Sequence, residues 1–191
     1  MDDAKRIAKI ILLAVLLLGL AYPFAFTGIA RLTPSRADGN IIELDGRAVG
    51  ASNIGQDFSS PQYFHGRPSA GGYDAMASGA SNLGPSNPEL VSLAEDRLNQ
   101  ILLENPGMKP EDVPVEMVTA SASGLDPEIG IKSAYLQVPR IAENTGLSED
   151  ALKALIARRE RGRFLGIFGE PRVNVLELNL EVRKMLGEVQ S

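Results

Sequence analysis

The sequence predicts an α+β domain carried behind a single membrane-spanning helix, and three observations lead there. Residues 10–30 contain no charged side chain. Beyond them, stretches with helical apolar spacing alternate irregularly with short β-branched runs, without the regular strand–helix repeat of a doubly wound sheet. Among these lies a long segment, residues 52–88, dense in Gly, Ser, Asn and Pro.

The 21 residues of the charge-free run, wound as a helix, reach about 31 Å, the thickness of a bilayer's hydrocarbon core. Twelve of them are Leu, Ile, Val or Phe. Together these contribute roughly −4 to −7 kcal/mol to insertion, enough to carry Gly19, Pro23 and Gly28 across. A cleaved signal peptide ending at Gly28-Ile29-Ala30 is the competing reading. The run is longer than the usual ~7–15-residue core of such a peptide, which favours an uncleaved anchor. Lys5, Arg6 and Lys9 precede the run, and only Arg31 and Arg36 follow it closely. Positive charge stays inside, so residues 1–9 are expected in the cytoplasm, 10–30 in the membrane and 31–191 beyond it. Tyr22, Phe24 and Phe26 gather toward the far end, where an aromatic belt would sit. Pro23 removes one backbone bond and is expected to kink the outer part of the helix.

Residues 31–191 are long enough for one domain with its own core. They hold 16 Lys and Arg against 22 Asp and Glu, a balance that argues against a nucleic-acid surface. No cysteine occurs, which excludes disulfides, thiolate metal sites and a thiol nucleophile. There is no Trp and no Asn-x-Ser/Thr acceptor.

In chain order, Ile41-Ile42-Glu43-Leu44 and Arg47-Ala48-Val49 flank Asp45-Gly46, a two-residue hairpin signal. Segment 52–88 exceeds an ordinary connection, and its scattered aromatics (Phe58, Tyr63, Phe64, Tyr73) suit an ordered loop rather than a linker. A helix follows: Asn87 caps it, Pro88 fits its first position, and Glu89 complements the dipole. Leu90, Leu93, Ala94, Leu98, Ile101 and Leu102 form its apolar stripe, and Asn105-Pro106-Gly107 ends it. Residues 113–120 read as a strand. Asp126 and Pro127 read as the cap and first residue of another helix, which Pro139 is expected to split in two. Ser148 caps the next helix, with Leu147 and Leu152 placed for a hydrophobic staple. Its basic end, Arg158-Arg159-Glu160-Arg161, could bind phosphate but mainly complements the dipole before Gly162. Residues 173–175 read as a strand and 178–186 as a closing helix.

Catalytic patterns are not found. There is no phosphate loop of the G-x-x-x-x-G-K-[ST] type, no nucleophile elbow and no S-x-x-K pair. His65 is the single histidine, too few ligands for a zinc site. It could act as a base with Ser69 and Asp74 nearby in a tethered hydrolase, although a hydrogen-bonded structural histidine is the commoner outcome. The turns at Ser78-Gly79-Ala80-Ser81-Asn82-Leu83-Gly84 and Ser121-Ala122-Ser123-Gly124 could cradle an anion with their amides. Tight turns with Ser and Asx caps look the same. Composition and spacing thus favour a tethered domain for interaction over one for chemistry.

Taken together, several pieces resemble one family. They are Gly19-Leu20-Ala21-Tyr22-Pro23, Val49-Gly50-Ala51-Ser52, Ile54-Gly55-Gln56 and Tyr63-Phe64-His65-Gly66-Arg67-Pro68-Ser69. Further along come Ser81-Asn82-Leu83-Gly84-Pro85-Ser86-Asn87-Pro88, Ser121-Ala122-Ser123-Gly124-Leu125-Asp126-Pro127, Gly169-Glu170-Pro171-Arg172-Val173-Asn174-Val175-Leu176 and Leu178-Asn179. Their order along nearly the whole chain is similar to that of the C subunit of Kdp-type potassium-transporting ATPases. Ala51 stands where that family has Gly, and Glu128 where His is common.

The resemblance implies a single-pass accessory subunit, not itself catalytic, of an ATP-driven potassium uptake complex in a bacterial inner membrane. Its implied partners are a channel-like K⁺-translocating subunit, a P-type ATP-hydrolysing subunit and a small single-helix subunit, beside membrane lipid. The expected role is to cap the outer K⁺ entrance. The alternative is a catalytic chaperone that raises the ATP affinity of the hydrolysing subunit through a ternary complex. For the nucleotide, shared with that subunit rather than tightly bound, the resemblance points to Gln56, Ser81, Asn82, Ser121 and Ser123. Tyr22, Pro23, Phe64, His65, Arg67, Asp126, Asn174 and Asn179 become candidate partner contacts, and no metal is expected.

Overall fold

The computed structural model describes residues 2–189, and the chain divides after Val49 into two units. In the first, helix α1 (Asp2–Ala14) continues through a π-helical segment (Val15–Ala21) into α2 (Tyr22–Ala30). Residues Asp3–Ala30 are long and apolar enough to cross a membrane. The irregularity expected at Pro23 takes the form of that π-helical segment. Pro23 has no N–H to give, and its ring presses on the turn before it. The wider turn accommodates both, with the Tyr22 amide donating back to the Leu17 carbonyl. Helix α3 (Pro34–Ala37) is a single turn. Strands β1 (Ile41–Leu44) and β2 (Arg47–Ala51) pair as the expected hairpin. Asp45 and Gly46 have φ of 53° and 73°, the two positive values a type I′ turn needs.

The second unit is built on α6 (Ile131–Thr145), α7 (Glu149–Arg159) and α8 (Val175–Val189), with the antiparallel pair β3 (Glu128–Gly130) and β4 (Arg172–Asn174). Ile129 pairs with Val173 in that sheet. Ala134, Val138 and Ile141 fall at helical spacing on α6 and are buried. They meet Leu152, Leu155 and Ile156 of α7 and Leu178 and Val182 of α8 in one core cluster. The staple is present: Leu147 and Leu152 both lie in this cluster, and Ser148 Oγ accepts from the Ala151 amide at 3.2 Å. Helix α4 (Pro88–Glu104) begins as its sequence dictates, with Asn87 accepting from the Glu89 amide. It packs on α5 (Val115–Val118).

Four expectations are corrected here. Residues 113–120 form no strand; after a 3₁₀ turn (Pro110–Asp112) they make the one-turn helix α5. That turn delivers Glu116, whose carboxylate accepts from the Gly130 amide at 2.9 Å and from the Ser133 hydroxyl. Gly130 precedes α6 and has no side chain to cap it, so Glu116 supplies the acceptor from elsewhere in the chain. Second, Asp126 caps a strand rather than a helix: it accepts from the Glu128 amide at 3.1 Å, and α6 starts only at Ile131. Third, Pro139 does not split α6. It lies on the exposed face, where water can take the carbonyl it frees. Fourth, α8 starts at Val175, three residues ahead of the expected Leu178, because Asn174 accepts from the Glu177 amide at 3.0 Å as its N-cap.

Leu152→Ala should cost about 2–5 kcal/mol, since a fully buried side chain leaves a cavity. Leu103→Ser, on the exposed face of α4, should stay within about 0.5 kcal/mol. Urea unfolding of the two variants in detergent measures the difference.

Candidate functional site

Segment 52–87 has no helix or strand, yet its middle is held as firmly as a sheet. The Phe64 amide donates to Asn179 Oδ1 at 2.8 Å, and Asn179 Nδ2 donates to the Phe64 carbonyl at 2.9 Å. One residue on, the His65 amide donates to Gln137 Oε1 at 2.7 Å, and Gln137 Nε2 donates to the His65 carbonyl at 3.2 Å. Two side-chain amides thus play the part of a neighbouring strand. Phe64 is fully buried as a result.

Arg140 completes the holding of this loop. Its guanidinium donates to the carbonyls of Pro61 and Tyr63 at 2.8 and 3.1 Å and to Gln137 Oε1 at 2.7 Å. Burial lowers its pKa, opposed by Glu104, but a guanidinium stays charged. His65 Nε2 lies 3.2 Å from Arg140 Nη1 and 3.1 Å from the Ser60 carbonyl, two neighbours that ask for opposite protonation. Burial first, and then the Arg140 charge, push the His65 pKa below its ordinary value. The ring is therefore neutral at pH 7. A proton on Nδ1 faces Glu104 Oε2 at 3.5 Å and leaves Nε2 free to accept from Arg140.

These groups line a cavity of about 360 Å³ together with Asp57, Phe58, Arg67, Tyr73 and Arg97. Arg67 pairs with Asp126 at 3.1 Å. Tyr73 donates its hydroxyl to the Arg67 carbonyl at 2.5 Å. Its pKa is pushed up to about 12, mainly by burial and further by Asp57 and Asp126, so it remains a donor throughout the physiological range. Nε of Arg67 and of Arg140 and Oδ1 of Asn105 are buried without a partner among the described residues. These three atoms have no surface open to the cavity, whose volume is at the lower end of small-ligand sites. No cluster able to hold a metal ion occurs among the described residues. Ser69 is spent on structure, donating to the Gly124 carbonyl at 2.7 Å and accepting from the Tyr73 amide at 2.9 Å.

The Ser/Gly turns meet each other rather than the cavity. The Gly79 amide and the Ser78 hydroxyl both donate to the Ser123 carbonyl, at 2.8 and 2.9 Å. Buried Ser121 donates its amide to the Pro68 carbonyl. Gly124 has φ 67°, and a Cβ there would lie 2.7 Å from the Gly79 carbonyl. Glycine is therefore needed for this packing. The Gly79, Ser121 and Gly124 amides are thus donated within the protein. Gln56, Ser81, Asn82, Ser121 and Ser123 do not line the cavity. Of the candidate partner contacts, Phe64, Asn174 and Asn179 are buried, and Asn174 donates to the Ser52 carbonyl at 2.7 Å. His65, Arg67 and Asp126 are half-buried. In the first unit Tyr22 is exposed and packs on Phe26 with ring centroids 4.4 Å apart, and Pro23 is exposed beside it. Sequence reasoning missed Gln137, Arg140 and Glu104. Nothing local in the sequence marks these three, which lie inside or at the end of ordinary helices.

The described residues thus combine a helix long and apolar enough to cross a membrane with a folded α+β unit that carries a polar-lined cavity. Residues 4–184 match the family described as the c chain of the K⁺-transporting ATPase, KdpC. The chain is 50% identical over 182 residues to the potassium-transporting ATPase KdpC subunit of Caldanaerobacter subterraneus subsp. tengcongensis, covering 95% of this chain and 94% of that one. It is 47% identical over 173 residues to that of Bacillus cytotoxicus, covering 90% of each. To that of Kineococcus radiotolerans it is 48% identical over 183 residues, covering 95% and 93%. This chain belongs to the KdpC family.

Asn179→Leu leaves the buried amide and carbonyl of Phe64 unsatisfied and should cost about 2–5 kcal/mol, more than one hydrogen bond is worth. Chemical denaturation checks it. Because the folded state depresses the His65 pKa, the unfolded chain binds more protons as pH falls through about 6.5. Stability should be full above that pH and decline below it. His65→Gln should flatten the slope between about pH 7.5 and 5.5, where histidine is the side chain that ordinarily titrates; urea midpoints across that range report it.

Proposed function

We propose that this chain is a non-catalytic accessory subunit of an ATP-driven potassium uptake complex, anchored by one helix, with its second unit outside the cytoplasm near the outer ion entrance. The observation that carries this reading is the charge pattern around the span. Lys5, Arg6 and Lys9 lie before an uninterrupted apolar helix ending at Ala30, and positive flanks stay in the cytoplasm. Family membership supplies the complex, whose channel-like, ATP-hydrolysing and small single-helix subunits are its partners. The acidic balance of residues 31–191 suits a K⁺-rich mouth, with an influence screened beyond about 8–10 Å. The spent hydroxyl of Ser69 supports a binding role over a hydrolytic one, and full transport by His65→Ala and Ser69→Ala together would discard the hydrolase.

A nucleotide-sensing chaperone rests on a different observation. Arg67, Arg97 and Arg140 line the cavity, and guanidinium groups there could donate to an anion. That reading moves ATP to the cavity and away from Gln56, Ser81, Asn82, Ser121 and Ser123. Equilibrium ATP binding to the full chain separates the sites: Arg67→Gln should abolish it in the cavity version, Gln56→Ala in the other, and no binding at all leaves the capping role.

Placement is tested by single introduced cysteines, free of background because the chain has none. A membrane-impermeant thiol reagent applied to intact cells should label Asn99→Cys and spare Lys5→Cys. The reverse result removes the outer placement.

A further inference from the structure

Residues 160–172 form a hairpin with a fixed shape and an uncovered tip. At its base Arg161 and Arg172 exchange backbone hydrogen bonds at 2.8 and 3.0 Å, and near its tip Phe164 and Phe168 do the same at 2.8 and 2.9 Å. Between them the Arg163 guanidinium donates to both oxygens of Glu170, at 2.9 and 2.7 Å. The tip is therefore ordered before it meets anything. Phe164, Leu165, Ile167 and Phe168 are nevertheless 67, 74, 72 and 62% exposed. Leu165 adopts φ 53° beside Gly166 at 73°. Turn chemistry favours Gly, Asn or Asp at such positions. Leucine there sets a large apolar group at the apex against the backbone's own preference, the kind of local strain that marks a functional site. An exposed apolar cluster with a polar rim meets either protein or lipid.

Charge and connectivity decide between them. Residues 158–172 hold five Arg and two Glu in a chain of net charge −5. Arg159, Arg161 and Arg172 pair with Glu181, Glu177 and Glu128, and in each pair the carboxylate is the more buried member. In these three pairs the guanidinium is the side shown to solvent, whereas in Arg163–Glu170 the carboxylate is the more exposed member. Arg158 is exposed and has no ion-pair partner among the described residues. An apolar tip inside an arginine collar matches the membrane interface, with anionic headgroups around an acyl interior. The chain also carries its own span, which keeps a bilayer within reach by covalent connection.

We propose that the Phe164–Phe168 hairpin is a second membrane contact, inserting its apolar tip at the headgroup–acyl boundary of an anionic phospholipid surface. The absence of Trp from the chain gives a clean test. Phe164→Trp and Phe168→Trp are conservative changes at exposed sites, and Met76→Trp, at a residue 94% exposed, is the control. Each full-length variant is reconstituted into phosphatidylethanolamine–phosphatidylglycerol vesicles, with and without bromine on the acyl chains of both leaflets. Emission from positions 164 and 168 should shift to the blue and be lost to bromine, while position 76 emits as in water and is not quenched. Unquenched, water-like emission at 164 and 168 overturns the proposal. So does equal quenching at 76, which would mean that the whole domain collapses onto lipid. Shielding that arises only when the other subunits are added overturns it too, in favour of a protein groove. Because both leaflets carry bromine, the result does not depend on which side of the membrane the domain occupies.

Discussion

Two carboxamides, those of Gln137 and Asn179, hold the structure's least regular segment in its interior. An irregular chain cannot be buried unless its backbone groups find partners. Here α6 and α8 each offer a side chain that pairs like a strand, to His65 and Phe64. Each such bond contributes on the order of 1 kcal/mol, but leaving a buried group unpaired costs more than making the bond gains. Phe64 can enter the core only because its polar backbone is answered on both sides. His65, Arg67 and Tyr73 then follow along a chain whose path is set, and the cavity is the space this path leaves against α4 and α6.

Local chemistry made part of this legible. The Asp45-Gly46 turn, the Asn87-Pro88 start of α4 and the Ser148 cap with its staple depend on neighbours in sequence, and each is present where its residues stand. The misread elements depend on distant partners. The β-branched run at 113–120 has the composition of a strand, but no sheet edge is there to receive it, and its value lies in bringing Glu116 to the start of α6. Asp126 is an Asx cap in both readings, whereas Asn174, read from sequence as part of a strand, also caps α8; the element each one introduces is set by the β3–β4 pairing, which joins residues more than forty apart. Of the site, His65 stands out as the single histidine, and the motif around it through its resemblance to the family. Gln137 and Arg140 lie inside an ordinary helix, where nothing local distinguishes a polar residue facing inward from one facing water.

In the glycine- and serine-rich turns, part of the backbone's donor capacity goes to holding the turns together. Such turns offer amides to an anion only while those amides are free. Here Gly79, Ser121 and Gly124 direct theirs to backbone carbonyls, and the close approach that glycine permits serves to seat one turn on the other. The arginines Arg67, Arg97 and Arg140 line the cavity instead. Two of them also hold the loop in place, Arg67 through Asp126 and Arg140 through the carbonyls of Pro61 and Tyr63.

The partners of Phe64 and His65 lie 115 and 72 residues downstream. A growing polypeptide therefore carries its central loop only partly anchored, through Gln137, until α8 has been made, since loop closure over such distances waits on the far partner. The loop is seated only after both α6 and α8 have emerged, and a truncation before residue 179 would unseat Phe64 while leaving α4 intact in sequence. Synthesis of α8 therefore times the closing of the interior.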